Sequence, residues 1–290
     1  MSFRPLLVLV ATSLVACDAE MDAGPVRERA EIFSYATAMA AGQTLYLRDM
    51  SGSITVEPAA DDTLRVVADL QWRGDSTPPR DLSFKGMALA DGALVCAIVG
   101  GADCSPDNYD NNSDGSGFSL RRGRVKLGLG GGSQAEVHFR VKVPTGVKLD
   151  LVMVDGDVVS ASSAPVRARG VNGDITIVTS VGPVTAKTVN GDVDARMSTL
   201  TGSDSVHVET VNGAVYVFLP ETVSATVDIG SINGTLITDF PGVSERERFT
   251  KQIVTTLGGG RAPVRVRTIN GNAQLRRLDA EGRAYEIDAP

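Results

Sequence analysis

The run Asp110-Asn111-Asn112-Ser113-Asp114-Gly115 has the residue types and spacing of the first half of a calcium loop. In such loops alternate side-chain oxygens wrap a hard cation, and the glycine lets the chain turn. Asp110, Asn112 and Asp114 are the candidate ligands, with Asp103 and Asp107 placed to assist. The twelfth position is Arg121 instead of a bidentate Glu, and no helical pattern flanks the run, so an EF-hand is excluded. Two readings stay open, a looser Ca2+ site or a solvated Asx-rich loop. No other cofactor is implied.

Two charged columns recur elsewhere. Asp157, Asp174 and Asp192 each stand two residues after the first residue of an Asp-Gly or Asn-Gly pair. Stacked in space, they would repel unless a cation or backbone N–H groups lay between them. Some polysaccharide-cleaving β-helix enzymes are built on stacked Asp, but the column fails at Ala214 and Thr235, which leaves turn capping as the default reading. Arg48, Arg169, Lys187 and Arg267 stand three residues before a turn, with Arg167 and Arg265 two residues further back. Such a basic stripe could hold an anionic glycan or a protein partner; the alternative is a solvated face balanced by nearby acids. His138 and His207 lie in strand-like runs, outside any His-Glu-x-x-His or Gly-x-Ser-x-Gly context. The glycine runs 128–132 and 258–260 lack the helix and Lys-Ser/Thr of a phosphate loop and read as turns.

The elements that must position these residues show in a repeat. Asn-Gly recurs at 172, 190, 212, 233 and 270, and Asp155-Gly156 and Ser51-Gly52 take equivalent places. From Asp155 the intervals are 17, 18, 22, 21 and 37, the last about two ordinary periods. Six before each turn stand Leu45, Leu149, Val166, Val184, Val206, Val227 and Val264; four before stand Leu47, Leu151, Ala168, Ala186, Val208, Ile229 and Val266. One before and three after are likewise apolar in all seven copies. Alternation on both sides of each turn is the period of a strand with one buried face. A β-solenoid, with each repeat a rung on the last, explains why the copies match column by column, down to a ladder of turn Asn. An antiparallel sandwich or meander of Asn-Gly hairpins is the alternative. The expected fold class is therefore an all-β, single-domain β-solenoid with Asn-Gly turns every 17–22 residues.

The expected organisation is a leader over 1–16, a tether and lead-in strand over 17–41, the repeat domain over 42–278 with an Asp/Asn-rich insertion at about 96–120, and a polar tail over 279–290. Ser244 with Glu247 could open a short helix, or a rung could run into the Gly258-Gly259-Gly260 turn.

The segments Val171-Asn172-Gly173-Asp174-Ile175, Val189-Asn190-Gly191-Asp192-Val193, Val143-Pro144-Thr145-Gly146-Val147 and Gly258-Gly259-Gly260 … Thr268-Ile269-Asn270-Gly271 together resemble the bacterial "putative adhesin" family, β-solenoid domains of unknown function also called the toastrack type. The resemblance spans roughly residues 40–278. It implies an envelope-facing β-helix, in some members linked to envelope stress systems, and it brings no catalytic residues.

The N-terminus sets the compartment. Arg4, the apolar run Leu6–Val10 and the close Leu14-Val15-Ala16-Cys17 make a secretory signal too short to span a bilayer. Its ending resembles the lipobox of bacterial lipoproteins, which implies cleavage before Cys17 and acylation of that residue. The remaining pair, Cys96 and Cys104, would meet an oxidising compartment, as a disulfide or as two free thiols. Losing Arg4 takes the formal net charge from -7 to -8, which argues against nucleic acid as a partner. The sequence thus points to a non-catalytic envelope lipoprotein that meets the lipid bilayer through Cys17 and an envelope protein or glycan through its repeats. A polysaccharide-active β-helix enzyme is the alternative.

Overall fold

The computed structural model describes residues 25–73, 77–80, 82–99, 104–106, 135–240, 246–247 and 251–278. The described residues are all-β. Before the regular repeats come β1 (Val26–Ala38), β2 (Thr44–Pro58), β3 (Thr63–Arg73), β4 (Leu82–Leu89), β5 (Gly92–Val99), β6 (Ala135–Val143) and β7 (Lys148–Ser162). The repeats continue as β8 (Val166–Arg169), β9 (Ile175–Thr179), β10 (Val184–Lys187), β11 (Val193–Met197), β12 (Val206–Asn212), β13 (Val215–Pro220), β14 (Ala225–Asn233) and β15 (Leu236–Thr238). The chain ends in β16 (Arg246–Glu247), β17 (Lys251–Leu257), β18 (Ala262–Asn270) and β19 (Ala273–Leu278). Among the described residues no helix is long and apolar enough to cross a membrane.

Each rung bends at its Asn-Gly corner, so the strand before the turn joins one sheet and the strand after it joins another. In the first sheet β5, β2, β7, β8, β10, β12, β18 and β14 run parallel in that spatial order. In the second, β6, β2, β7, β9, β11, β13, β19 and β15 do the same. The two strands flanking a turn do not pair with each other, which rules out the hairpin sandwich. The rungs stack at the ordinary strand spacing of about 4.8 Å. Between the two sheets lies one core, built from the predicted columns: the residues six before, four before and three after each turn are all buried. Val184, Ala186 and Val193 from one rung meet Val206, Val208 and Val215 from the next. No rung could bury these faces alone, so the stack stabilises itself through neighbour contacts.

The rungs do not follow chain order throughout. Along the axis the corners run Ser51, Asp155, Asn172, Asn190, Asn212, Asn270, Asn233. The last rung in the sequence, β18 and β19, is slotted between the rung of β12 and β13 and the rung of β14 and β15. The 37-residue interval hides this return. β17 runs antiparallel along β14 and caps that end of the first sheet, and β16 turns back on it. Thus 251–257 is a reversed strand and not a stacked rung, and Glu247 lies in β16 instead of a helix; Ser244 falls outside the described residues.

At the opposite end β5 and β6 together form one split rung beneath β2, in register Arg48↔Cys96 and Gly52↔Val137. The split falls where other rungs have their corner. Antiparallel strands finish this end: β4 on β5, β3 on β6 and β1 on β3. β1 is an outer strand rich in charge, with a register shift between Arg29 and Phe33, features that discourage pairing with another chain.

Candidate functional site

The corner of the solenoid is built from one short repeat, and its Asn, Asp and Thr or Ser side chains bond along the stack. The turn glycines allow this. Gly173, Gly191, Gly213 and Gly271 have φ between +126° and +153°, and the backbone of the neighbouring rung presses on the place a Cβ would occupy. With no side chain in the way, the turn Asn amides form a continuous ladder. Asn190 Nδ2 donates to Asn172 Oδ1 (2.8 Å), Asn212 to Asn190 (2.8 Å), Asn270 to Asn212 (2.7 Å) and Asn233 to Asn270 (2.8 Å). Identical amides stacked at strand spacing can each donate one way and accept the other.

The acidic column is placed as turn caps. Asp157 Oδ1 accepts the Asp174 N–H (2.8 Å), Asp174 Oδ1 the Asp192 N–H (2.7 Å), and Asp192 Oδ1 the Ala214 N–H (2.7 Å). The pattern continues past the acids, for Asn272 Oδ1 accepts the Thr235 N–H (2.9 Å). These N–H groups lie between successive carboxylates and offset their repulsion.

A further column was not recognised in the sequence. Two residues before the turn, Thr210, Thr268 and Ser231 donate their hydroxyls to the Gly191, Gly213 and Gly271 carbonyls at 2.8–2.9 Å, and Thr188 to Gly173 at 3.2 Å. All four side chains are buried. The signal was a Thr or Ser in four of seven copies, obscured by Asp49, Met153 and Gly170 in the others. The column one before the turn also differs from an ordinary core file. Ile232 and Ile269 are 47% and 40% exposed, and the other members are half-buried, so this file forms an aliphatic ridge beside the Asn ladder.

The basic residues Arg48, Arg169, Lys187 and Arg267 do fall on one file of the first sheet, and Val152 and Glu209 interrupt it. They do not form an open cationic stripe. Asp150 Oδ1 receives Arg48 Nη1 (2.9 Å) and Arg169 Nη2 (3.0 Å), Lys187 Nζ meets Glu209 (3.0 Å), and Arg267 pairs with Asp228. Arg48 has no exposed surface. Its guanidinium also donates to the carbonyls of Asp150 (2.6 Å) and Pro106 (2.8 Å), so it pins the short segment 104–106 to the solenoid. Parity alone placed this side chain in solvent. A second layer covers it, a satellite cluster of Leu94, Cys96 and Cys104 with Tyr46, Leu89 and Ile98. Cys96 and Cys104 are joined there by a disulfide. Next to Arg48, burial pushes the Asp49 carboxyl well above the usual carboxylate range. Asp110, Asn112 and Asp114 lie outside the described residues, as does Cys17.

The histidines pair locally. His138 Nδ1 lies 2.9 Å from Ser53 Oγ. His207 Nε2 hydrogen-bonds the Glu209 carboxylate, and this bond, joined by Lys187, pushes Glu209 down to about 2. A carboxyl depressed in the folded chain contributes stability that is complete above its unfolded pKa and lost as pH falls through the folded one. The expected result is a urea midpoint that drops between about pH 4.5 and about pH 2. Glu209→Gln should flatten that part of the profile, measured side by side with wild type. An unchanged slope would show that Glu209 is not the group involved.

Residues 140–276 run from β6 to β19, hold all five Asn-Gly corners, and match the model of the Toastrack DUF4097 family. No curated protein matches the chain. A structure described as a "putative cell adhesion protein" from Clostridium sporogenes is similar at 12% identity and TM-score 0.43, over 84% of this chain and 99% of its own. A "putative adhesin" from Bacteroides fragilis is similar at 10% identity and TM-score 0.29, over 85% and 98%. The β-solenoid of residues 140–276, with its laddered Asn-Gly corners, is thus the part of the chain that is similar to the Toastrack DUF4097 domain.

Proposed function

We propose that this chain is an exported envelope lipoprotein, anchored in a bilayer through acylated Cys17, whose solenoid is a non-catalytic scaffold or binding module for an envelope protein or glycan. The observation that carries this reading is the use of the repeat's polar side chains. Asn, Asp and Thr at the corners bond to the next rung, and the charged file of the first sheet is paired across rungs. The Asp column, which a polysaccharide-cleaving β-helix would aim at substrate, here caps backbone amides. The buried Cys96–Cys104 bond fits an oxidising compartment. The acidic balance of the chain disfavours nucleic acid.

Cys17→Ser should move the protein from the membrane fraction to the soluble fraction, or leave it unprocessed. Equal membrane retention and processing of the variant would remove the anchor from the proposal. For the module itself, crosslinking of the anchored protein in its own envelope should retain an envelope protein or glycan. Cleavage of envelope polysaccharide by the purified solenoid would overturn the non-catalytic reading.

A further inference from the structure

Five Asn-Gly pairs occupy equivalent corners, yet one of them has a different chemical situation. Asn-Gly is the dipeptide most open to intramolecular imide formation, because glycine leaves its backbone nitrogen unhindered. In the stack that nitrogen is engaged. Gly173 N–H donates to the Asn190 carbonyl (2.8 Å), Gly191 N–H to Asn212 (2.9 Å), Gly213 N–H to Asn270 (2.9 Å) and Gly271 N–H to Asn233 (3.0 Å). The side-chain oxygens of Asn172, Asn190, Asn212 and Asn270 are likewise engaged, each accepting the amide of the next Asn. Asn233-Gly234 belongs to the end rung. Asn233 still donates to Asn270 Oδ1, but among the described residues nothing donates to its own Oδ1, and the Gly234 N–H has no acceptor. Asn233 is also exposed.

We propose that Asn233-Gly234 is a site of spontaneous deamidation, and that the amide ladder protects the other four Asn-Gly pairs from the same reaction. The Gly234 nitrogen gives up its proton and attacks Asn233 Cγ. The new N–Cγ bond closes a cyclic imide as the Cγ–Nδ2 bond breaks, and Nδ2 departs as ammonia carrying the proton that Gly234 lost. Water then opens the imide at either carbonyl, leaving aspartate or isoaspartate. At the interior corners the same attack must wait for a rung to open, because the nitrogen and the carboxamide are both held in hydrogen bonds. The product has a structural consequence too. A carboxylate at 233 has no N–H to give, so Asn270 Oδ1 loses its donor, and an isoaspartyl link adds a backbone atom at the corner of the end rung.

The test is incubation of the folded protein in mildly alkaline buffer, followed by peptide mapping of all five Asn-Gly pairs for the amide-to-acid mass change. A parallel sample is kept unfolded in urea. In the folded protein Asn233 should react at least about tenfold faster than each of the other four, since two hydrogen bonds must open first at those sites. In urea the five rates should converge. Comparable rates at all five in the folded protein, or a faster rate at any interior corner, would overturn the proposal. A rate at Asn233 that remains the highest by the same ratio in urea would also overturn it, because the cause would then be local sequence and not the ladder.

Discussion

A chain that stops at Gly258 will lose two rungs of the stack, not one. The deleted residues include β18 and β19, whose Val264, Val266, Leu275 and Leu278 are buried in the core. At about 1.5–3 kcal/mol each, these four represent about 6–12 kcal/mol as an upper bound. That is comparable to the whole stability of a typical domain, about 5–15 kcal/mol. The second loss follows from the rung order. Among the described residues β15 pairs with β19 alone, and β14 joins the stack only through β18. Without them β14 keeps β17 as its one partner, and an isolated two-stranded hairpin is marginal in water. Hydrogen exchange should therefore show residues 225–257 unprotected, and the thermal transition should broaden or fall sharply. The competing outcome is specific. The columns of β14 match those of β12, Val227 to Val206 and Ile229 to Val208, so the freed rung could slide down one step onto β12. Retained protection over 225–238 would mean that it does, and that the C-terminal rung is not what holds its neighbour.

The same equivalence explains what the sequence could and could not reveal. A column pattern says that Asn172, Asn190 and Asn212 stack, because only stacking rewards the same amide at each corner. It is silent on order, since rungs cornered at Asn233 and Asn270 offer their neighbours the same residues. Only the 37-residue gap hinted at a departure, and the reversed strand β17 lies within it. Parity was equally blind to Arg48. It fixes the side of the sheet on which a residue lies, and on that side of β2 a second layer of Leu94, Cys96 and Cys104 excludes water. The Asp column was legible as turn chemistry, because an Asp after Asn-Gly needs no ligand to justify it. The Thr and Ser column escaped notice for the opposite reason. A small polar residue on the inward side looks like a gap in the core until the Gly carbonyl it meets is seen.

Gly191→Val should be among the most damaging single substitutions in the solenoid. The residue has φ +144°, a conformation that side chains bearing a Cβ rarely take and β-branched ones take least. Strain is the smaller part. A Cβ at this position would lie 2.1 Å from the Gly173 carbonyl oxygen and 2.5 Å from its carbon. Both are backbone atoms of the neighbouring rung, so no side-chain rotation can relieve the overlap. Either the rungs separate or the corner unwinds. Both routes break the bonds that join these two rungs at the corner: the Gly173 N–H bond to the Asn190 carbonyl, the Thr188 hydroxyl bond to the Gly173 carbonyl, the Asp192 N–H bond to Asp174 Oδ1, and the Asn190 amide bond to Asn172. With net values of about 0.5–1.5 kcal/mol per hydrogen bond, four such losses amount to about 2–6 kcal/mol before the clash is counted. The expected result is an insoluble product or a midpoint shift larger than that of any core Val→Ala variant. Thr185→Val is the matched control. It adds the same side chain to the same rung on an outward strand position, where the change should stay within about 0.5 kcal/mol. Urea unfolding of the two variants beside wild type decides the matter. If Gly191→Val unfolds within error of Thr185→Val, the corner can open without cost, and close backbone approach is not what requires glycine there.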